Sequence, residues 1–209
     1  MKQVFTRVAV KVGSNVLTRR DGTLDVTRMS ALVDQIAELH KSGVEIILIS
    51  SGAVASGRSE VSPQKKLDSV DQRQLFSAVG QAKLINRYYE LFREHNIPVG
   101  QVLTTKESFG TRRHYLNQKN CMTVMLANGV IPIVNENDTI SVSELMFTDN
   151  DELSGLIASM MNVQALIILS NIMVLLQIRI LPSFVRLSME KIYPTISKLP
   201  SPVSAEGGC

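Results

Sequence analysis

The sequence predicts an α/β fold, a three-layer αβα sandwich around a mainly parallel sheet. Three observations carry that expectation. Strand-like and helix-like segments alternate from Val4 to Leu169, the order that produces right-handed crossovers between parallel strands. Val44–Ile49 is a continuous apolar run of strand length, as expected of a strand covered on both faces. Four of the five strand-like segments also end in glycine, serine, amide or carboxylate residues, which places polar chemistry at the carboxyl edge where open α/β sheets bind ligands.

The elements follow in order. Val4–Val12 alternates and is rich in valine, which reads as a strand, and its end carries Lys11, Gly13, Ser14 and Asn15. A lysine before a small, glycine-containing turn can hold phosphate, because backbone N–H groups approach closely and the ammonium supplies a point charge. A Walker-type loop is absent, and a plain strand-to-loop turn fits these residues as well. Asp25–Ser42 has helical periodicity, with Met29, Leu32, Val33, Ile36 and Leu39 on one face and Gly43 as its stop. Val44–Ile49 ends in Ser50-Ser51-Gly52-Ala53, a second anion-binding candidate ahead of a helix.

Glu60–Asp68 is polar, contains Pro63 and reads as a loop. Gln72–His95 is a long amphipathic helix, and Gly80 inside it implies close packing, since glycine costs about 1 kcal/mol against alanine there. Ile97–Leu103 is a third strand, Thr111–Asn128 a further helix closed by the Asn128-Gly129 turn, and Val130–Val134 a fourth strand. Asp149 opens a helix through Met161 with Asp149, Asp151 and Glu152 in an acidic first turn, and Ala165–Leu169 is a fifth strand.

The richest stretch is Ile131–Ser154. An apolar strand turns abruptly into Asn135, Glu136, Asn137 and Asp138, and Asp149, Asn150, Asp151 and Glu152 follow. Such clusters are either polar turns and a helix start or the rim of a binding site.

Composition narrows the function classes. Hydrophobic residues make up 44% and charged residues 20% of 209 residues, ordinary for a folded domain. A net charge of +3 without a basic block, and few aromatic residues, offer no platform for nucleic acid. Cys121 and Cys209 stand far apart with no zinc-like or CxxC spacing, and Cys121 is expected to be a core thiol. The three histidines, His40, His95 and His114, fall at helix ends or among polar residues and are expected at the surface, without a partner acid. No signal peptide pattern and no apolar run long enough for a membrane span are visible, so the expected location is cytoplasmic.

Seven segments together resemble the glutamate 5-kinases of the amino-acid kinase family: VKVGSNVLT (10–18), IILISSGAVASGR (46–58), SAVGQAKLI (77–85), PVGQVLTT (98–105), IPIVNENDTI (131–140), FTDNDELSGLIA (147–158) and LIILSNI (166–172). The NEND and DNDxLS elements set this group apart from acetylglutamate kinase, aspartokinase and uridylate kinase. The resemblance implies transfer of the ATP γ-phosphoryl group to the side-chain carboxylate of L-glutamate, the first step of proline synthesis, with Mg²⁺ accompanying ATP. It also implies roles. Lys11 would bridge the transferring phosphoryl group, Gly13 and Ser14 would cradle phosphate, and Ser170 and Asn171 would lie on the nucleotide side. Ser51 and Gly52 would meet glutamate, Asp138 and Asn150 would bind it, and Asp151 would orient the catalytic lysines. A homo-oligomer, and a glutamyl-5-phosphate reductase as pathway partner, are implied in the same way.

Residues 1–172 are thus expected to form the glutamate- and phosphate-binding part of a kinase domain. Residues 173–209 differ in character, with no aspartate and four of the seven prolines, and they lack the Asp-Gly turn, the Gly-Gly-Met loop and the second catalytic lysine of the family. One reading is a strand followed by a Pro/Ser-rich tail; the other, opened by the resemblance, is an out-of-frame translation after the loss of one base. A G placed before the Met173 codon regroups to Asp-Gly-[Val/Ile], and regrouping Pro202–Cys209 permits Phe-Gly-Arg-Gly-Gly-Met. On that reading the nucleotide half is incomplete, the chain can at most bind glutamate or turn over very slowly, and Ala165–Leu169 is left as an exposed sheet edge unless the tail covers it.

Overall fold

Successive side chains of an extended strand alternate between the faces of a sheet, so Val8, Val10 and Val12 share one face and Ala9 and Lys11 the other. The computed structural model describes residues 5–141 and 150–170, and the backbone of 184–187. It builds six strands: β1 (Arg7–Val12), β2 (Glu45–Ser50), β3 (Val99–Thr104), β4 (Ile131–Glu136), β5 (Ala165–Leu169) and β6 (Phe184–Leu187). They lie in the order β3-β4-β2-β1-β5-β6, and every pairing is parallel. All strands therefore end at one edge. The register there matches Val12 with Ser50 and Leu169, and Thr104 with Glu136.

Seven helices complete the described part: α1 (Ser14–Leu17), α2 (Val26–Lys41), α3 (Ala53–Arg58), α4 (Ser69–Glu94), α5 (Glu107–Gly110), α6 (Arg112–Ala127) and α7 (Asn150–Met160). Two buried clusters show how they cover the sheet. On one face Val8, Val10, Val12, Ile46, Leu48, Ile133 and Ile167 meet Met29, Leu32 and Ile36 of α2 and Leu84, Tyr88 and Phe92 of α4. On the other, Ala9, Ile47, Ile49, Val134 and Leu166 meet Met122 and Leu126 of α6 and Leu153 and Ile157 of α7. The three-layer αβα expectation holds, and so does the double coverage inferred from the Val44–Ile49 run.

Caps explain the helix limits. Asp25 accepts the Arg28 N–H at 3.2 Å, Asp68 the Asp71 N–H at 2.8 Å, and Thr111 the His114 N–H at 3.3 Å. The Asp68 cap starts α4 at Ser69, ahead of the Gln72 expected from apolar periodicity, because a cap is set by a hydrogen bond and not by the buried face. The close packing anticipated at Gly80 is present: a Cβ there would stand 1.8 Å from the Ala53 carbonyl oxygen, so α3 lies directly on α4.

Two expectations need correction. Cys121 is exposed, because α6 buries its neighbour Met122 and not the thiol itself. His95 does have an acid partner, with Nε2 2.9 Å from Asp34 Oδ1, although the pair sits at the end of α4 remote from the carboxyl edge. The condition attached to β5 is decided by the tail, whose β6 pairs with it along Leu166–Leu169. Val4, Asp149, Asn171, Cys209 and most of the 173–209 tail lie outside the described residues.

Tyr88 ties the core to that edge. It is completely buried, and its hydroxyl is 3.0 Å from Ser50 Oγ at the end of β2. Burial pushes its phenol well above the usual range, against the opposing pull of the Ser50 hydrogen bond, so the hydroxyl stays neutral. Tyr88→Phe is expected to cost about 1 kcal/mol, as one neutral hydrogen bond is lost while Ser50 keeps its contact with the Ser51 carbonyl. A urea midpoint unchanged from that of the parent chain would refute the anchoring role.

Candidate functional site

Lys11 has the same parity as Ala9, so its side chain leaves the sheet on the α6–α7 side. There it meets the start of α7. Lys11 is 8% exposed, and its Nζ lies 2.5 Å from Asp151 Oδ1. Pairing is what allows an ammonium to be held at the rim of the core. The neighbouring residue, Asn150, donates from Nδ2 to Ser51 Oγ at 2.6 Å. Two successive residues of α7 thus grip the ends of β1 and β2. Lys106, following β3, adds an ion pair to Glu152 at 3.5 Å.

The turn after β1 is tied down rather than open. The Gly13 N–H donates to the Leu169 carbonyl at 3.1 Å, so this N–H is already committed and what Gly13 contributes is space. A Cβ there would come 3.4 Å from the Leu169 oxygen and 3.7 Å from Lys11 Nζ. Gly13 itself thus puts no side chain between the Lys11 ammonium and the Leu169 carbonyl, the kind of glycine turn that lets a phosphate approach backbone. Ser14 begins α1, half-buried, and Ser170 follows β5, also half-buried. After β2, the Ser51 N–H donates to the Val12 carbonyl at 3.0 Å, and Gly52 caps α3 with φ +105°, a conformation that L side chains rarely adopt.

On the α4 side the carboxylates after β4 are sequestered. Glu136 and Asp138 are 4% and 6% exposed. Arg73 donates to Asp138 Oδ1 from Nε at 2.7 Å, and one of its terminal nitrogens reaches the same oxygen at 2.6 Å and Glu136 Oε2 at 3.1 Å. Ser77 Oγ lies 3.4 Å from Asp138 Oδ2, and Asn135 donates to Gln81 Oε1 at 2.8 Å. The structure therefore brings Lys11, Gly13, Ser51, Gly52, Asn150 and Asp151 together in contact. Ser14 follows Gly13 at the end of β1, Asp138 and Ser170 lie beyond β4 and β5 at the same edge, and Asn171 is outside the described residues.

Arg73 was not foreseen. Its signal is present in the sequence all the same: Arg73, Ser77 and Gln81 recur every four residues along α4, a polar stripe on a helix whose other faces are apolar or solvated. All three members of that stripe bond to the segment 135–138.

Residues 6–175 match the model of the Amino acid kinase family. The chain is 92% identical over 172 residues to the glutamate 5-kinase of Bacteroides thetaiotaomicron, covering 82% of this chain and 48% of that protein. It is 52% identical over 169 residues to the glutamate 5-kinase of Chlorobaculum tepidum, covering 81% and 47%. With the glutamate 5-kinase of Clostridium acetobutylicum it shares 40% over 166 residues, covering 79% and 62%. The chain spans about half the length of the first two relatives.

Proposed function

The chain belongs to the amino acid kinase family, and from that premise we propose that it carries the acceptor site of a glutamate 5-kinase, which phosphorylates the side-chain carboxylate of L-glutamate with ATP in proline biosynthesis. The observation that carries this reading is the start of α7, where Asn150 reaches Ser51 and Asp151 reaches Lys11. One helix end thereby joins a polar subsite suited to an amino acid to a lysine suited to a phosphoryl group.

The chemistry follows from charge. A carboxylate acceptor is ionised at neutral pH, so the reaction calls for charge neutralisation and in-line placement and not for a base. Lys11 supplies the positive charge at the phosphoryl group, and Asp151 holds that ammonium in place. Gly13 leaves the approach open, and by the resemblance Ser14, Ser170 and Asn171 would serve the nucleotide. Ser51, Gly52 and Asn150 receive the acceptor, and Asp138 pairs with its α-ammonium through Oδ2, whose present contact with Ser77 is a long one. ATP supplies the transferable phosphoryl group. Mg²⁺ would accompany ATP, bound to the nucleotide's phosphate oxygens.

A second reading is favoured by residues 173–209, which we propose are an out-of-frame continuation: the chain then binds glutamate without efficient turnover. The match to the family ends at residue 175, in keeping with this division. Resequencing the coding DNA tests it, and an intact frame through Met173 would overturn it. The proposal extends to a cytoplasmic homo-oligomer whose product passes to a glutamyl-5-phosphate reductase. Among the described residues no helix is long and apolar enough to cross a membrane.

Two measurements separate the readings. A coupled ADP-release assay with glutamate and ATP reports turnover, and a glutamate-dependent rise in melting temperature reports binding. Asp138→Asn is expected to weaken glutamate binding about 10- to 100-fold, the range for losing a hydrogen bond to a charged group. Unchanged affinity would remove Asp138 from the acceptor site.

A further inference from the structure

A recess lined by charges of one sign focuses their field and concentrates ions of the opposite sign. The connection from α3 to α4 builds such a recess, of about 390 Å³, lined by Arg58 at the end of α3, by Gln64, Lys65 and Lys66 of the loop, and by Gln72 and Phe76 of α4. Every charged residue of the lining is a cation. Among the described residues none of the three enters an ion pair. The neighbouring acids, Glu60, Asp68 and Asp71, lie outside the lining. Glu60 is engaged by Lys83, and Asp68 accepts the Asp71 N–H at 2.8 Å as the cap of α4.

The walls are fixed by packing. A Cβ on Gly57 would stand 1.8 Å from the Phe76 carbonyl oxygen, so α3 rests on α4 directly beside Arg58. Gln72 Nε2 donates to the Leu67 carbonyl at 2.9 Å and pins the end of the loop to α4. The Arg58 guanidinium lies over the buried Phe76 ring, 5.7 Å from its centroid. Stacking of that kind holds the plane of the guanidinium and leaves its N–H edge for an acceptor.

We propose that this recess is a binding site for a small phosphate-bearing anion of two or more negative charges, separate from Lys11 and from the acceptor residues. A guanidinium meets two phosphate oxygens at once, and the two lysines beside it add point charges that a singly charged anion would not balance. Gln72 and Phe76, four residues apart, share one face of α4, whereas Arg73 and Ser77, which contact Asp138, share the next. The recess therefore binds its anion whether or not the chain turns over glutamate.

The test is a calorimetric titration of the 209-residue chain with pyrophosphate, at constant ionic strength set by potassium chloride. It is run on the parent and on Lys11→Met, which removes the ammonium at the phosphoryl site. Both are expected to bind saturably, with a rise in melting temperature. In the Lys11→Met chain, Arg58→Gln should weaken binding about tenfold or more, the weight of a hydrogen bond between charged groups. Lys65→Gln/Lys66→Gln should weaken it by a similar factor, and Arg58→Lys by less than Arg58→Gln. If Arg58→Gln does not melt cooperatively, the two exposed loop lysines carry the test. No saturable binding by the Lys11→Met chain would overturn the proposal. Affinity unchanged by the recess substitutions would also overturn it, since the anion would then sit elsewhere.

Discussion

Gly80→Ala is expected to cost about 3 kcal/mol or more, at or beyond the upper range for overpacking a well-filled core. In an isolated helix the same change would gain about 1 kcal/mol, because alanine is the better helix former. Here the packing term wins. The new methyl would sit 1.8 Å from the Ala53 oxygen and 2.4 Å from the Gly57 nitrogen, both of them backbone atoms that cannot rotate away. Gly57 returns the contact, with its own absent Cβ 1.8 Å from the Phe76 oxygen. The six residues of α3 are too few to be stable alone and must yield. As α3 moves, it carries Gly52 and Ser51 away from Asn150. A loss of that size is a large share of a domain's usual 5–15 kcal/mol, roughly a third. Urea denaturation should show a sharply lowered midpoint, with glutamate-dependent stabilisation lost as well. A midpoint within about 0.5 kcal/mol of the parent, the scatter of neutral surface changes, would show that the two helices can separate at little cost.

Lys11→Met should reduce phosphoryl transfer at least about 100-fold, the usual consequence of removing one charge-stabilising group from such a site. Methionine keeps the apolar stem that β1 buries and deletes the ammonium. The fold should survive the change, because the Asp151 side chain left behind is 42% exposed and can be solvated. Glutamate binding should survive too, since Ser51, Asn150 and Asp138 are untouched. The combination expected is therefore lost turnover with retained glutamate-dependent thermal stabilisation. The coupled assay is run at enzyme concentrations that resolve a slow parent rate. A variant that turns over at the parent rate would place the phosphoryl group elsewhere.

Much of this architecture was legible beforehand. The strands β1, β2, β4 and β5 announced themselves as apolar runs closed by glycine, serine or amide residues, β3 as an apolar run ending in threonines, and α2, α4, α6 and α7 as periodic segments with caps or stops. Short elements escaped notice. α1 and α5 have four residues each and no periodicity to detect. β6 lies in a segment whose sequence carries no recognisable strand boundary, and only its pairing with β5 identifies it. Cys121 misled because an apolar helical pattern does not say which side of the stripe a borderline residue occupies, and Met122 took the buried place.

At the site the division runs along the same line. Residue types and their positions at strand ends are local properties, so Lys11, Ser51, Asp138, Asn150 and Asp151 could be singled out from the chain alone, and the resemblance supplied their expected roles. Which groups touch is a matter of register and strand order. Asp151 meets Lys11 across 140 positions of chain because β1 lies beside β5 and α7 covers that face. The Gly13 N–H proved to be spent on Leu169, and Asp138 proved to be half-occupied by Arg73. Neither could be read from spacing, since long-range hydrogen bonds form between residues that only the packed sheet makes neighbours.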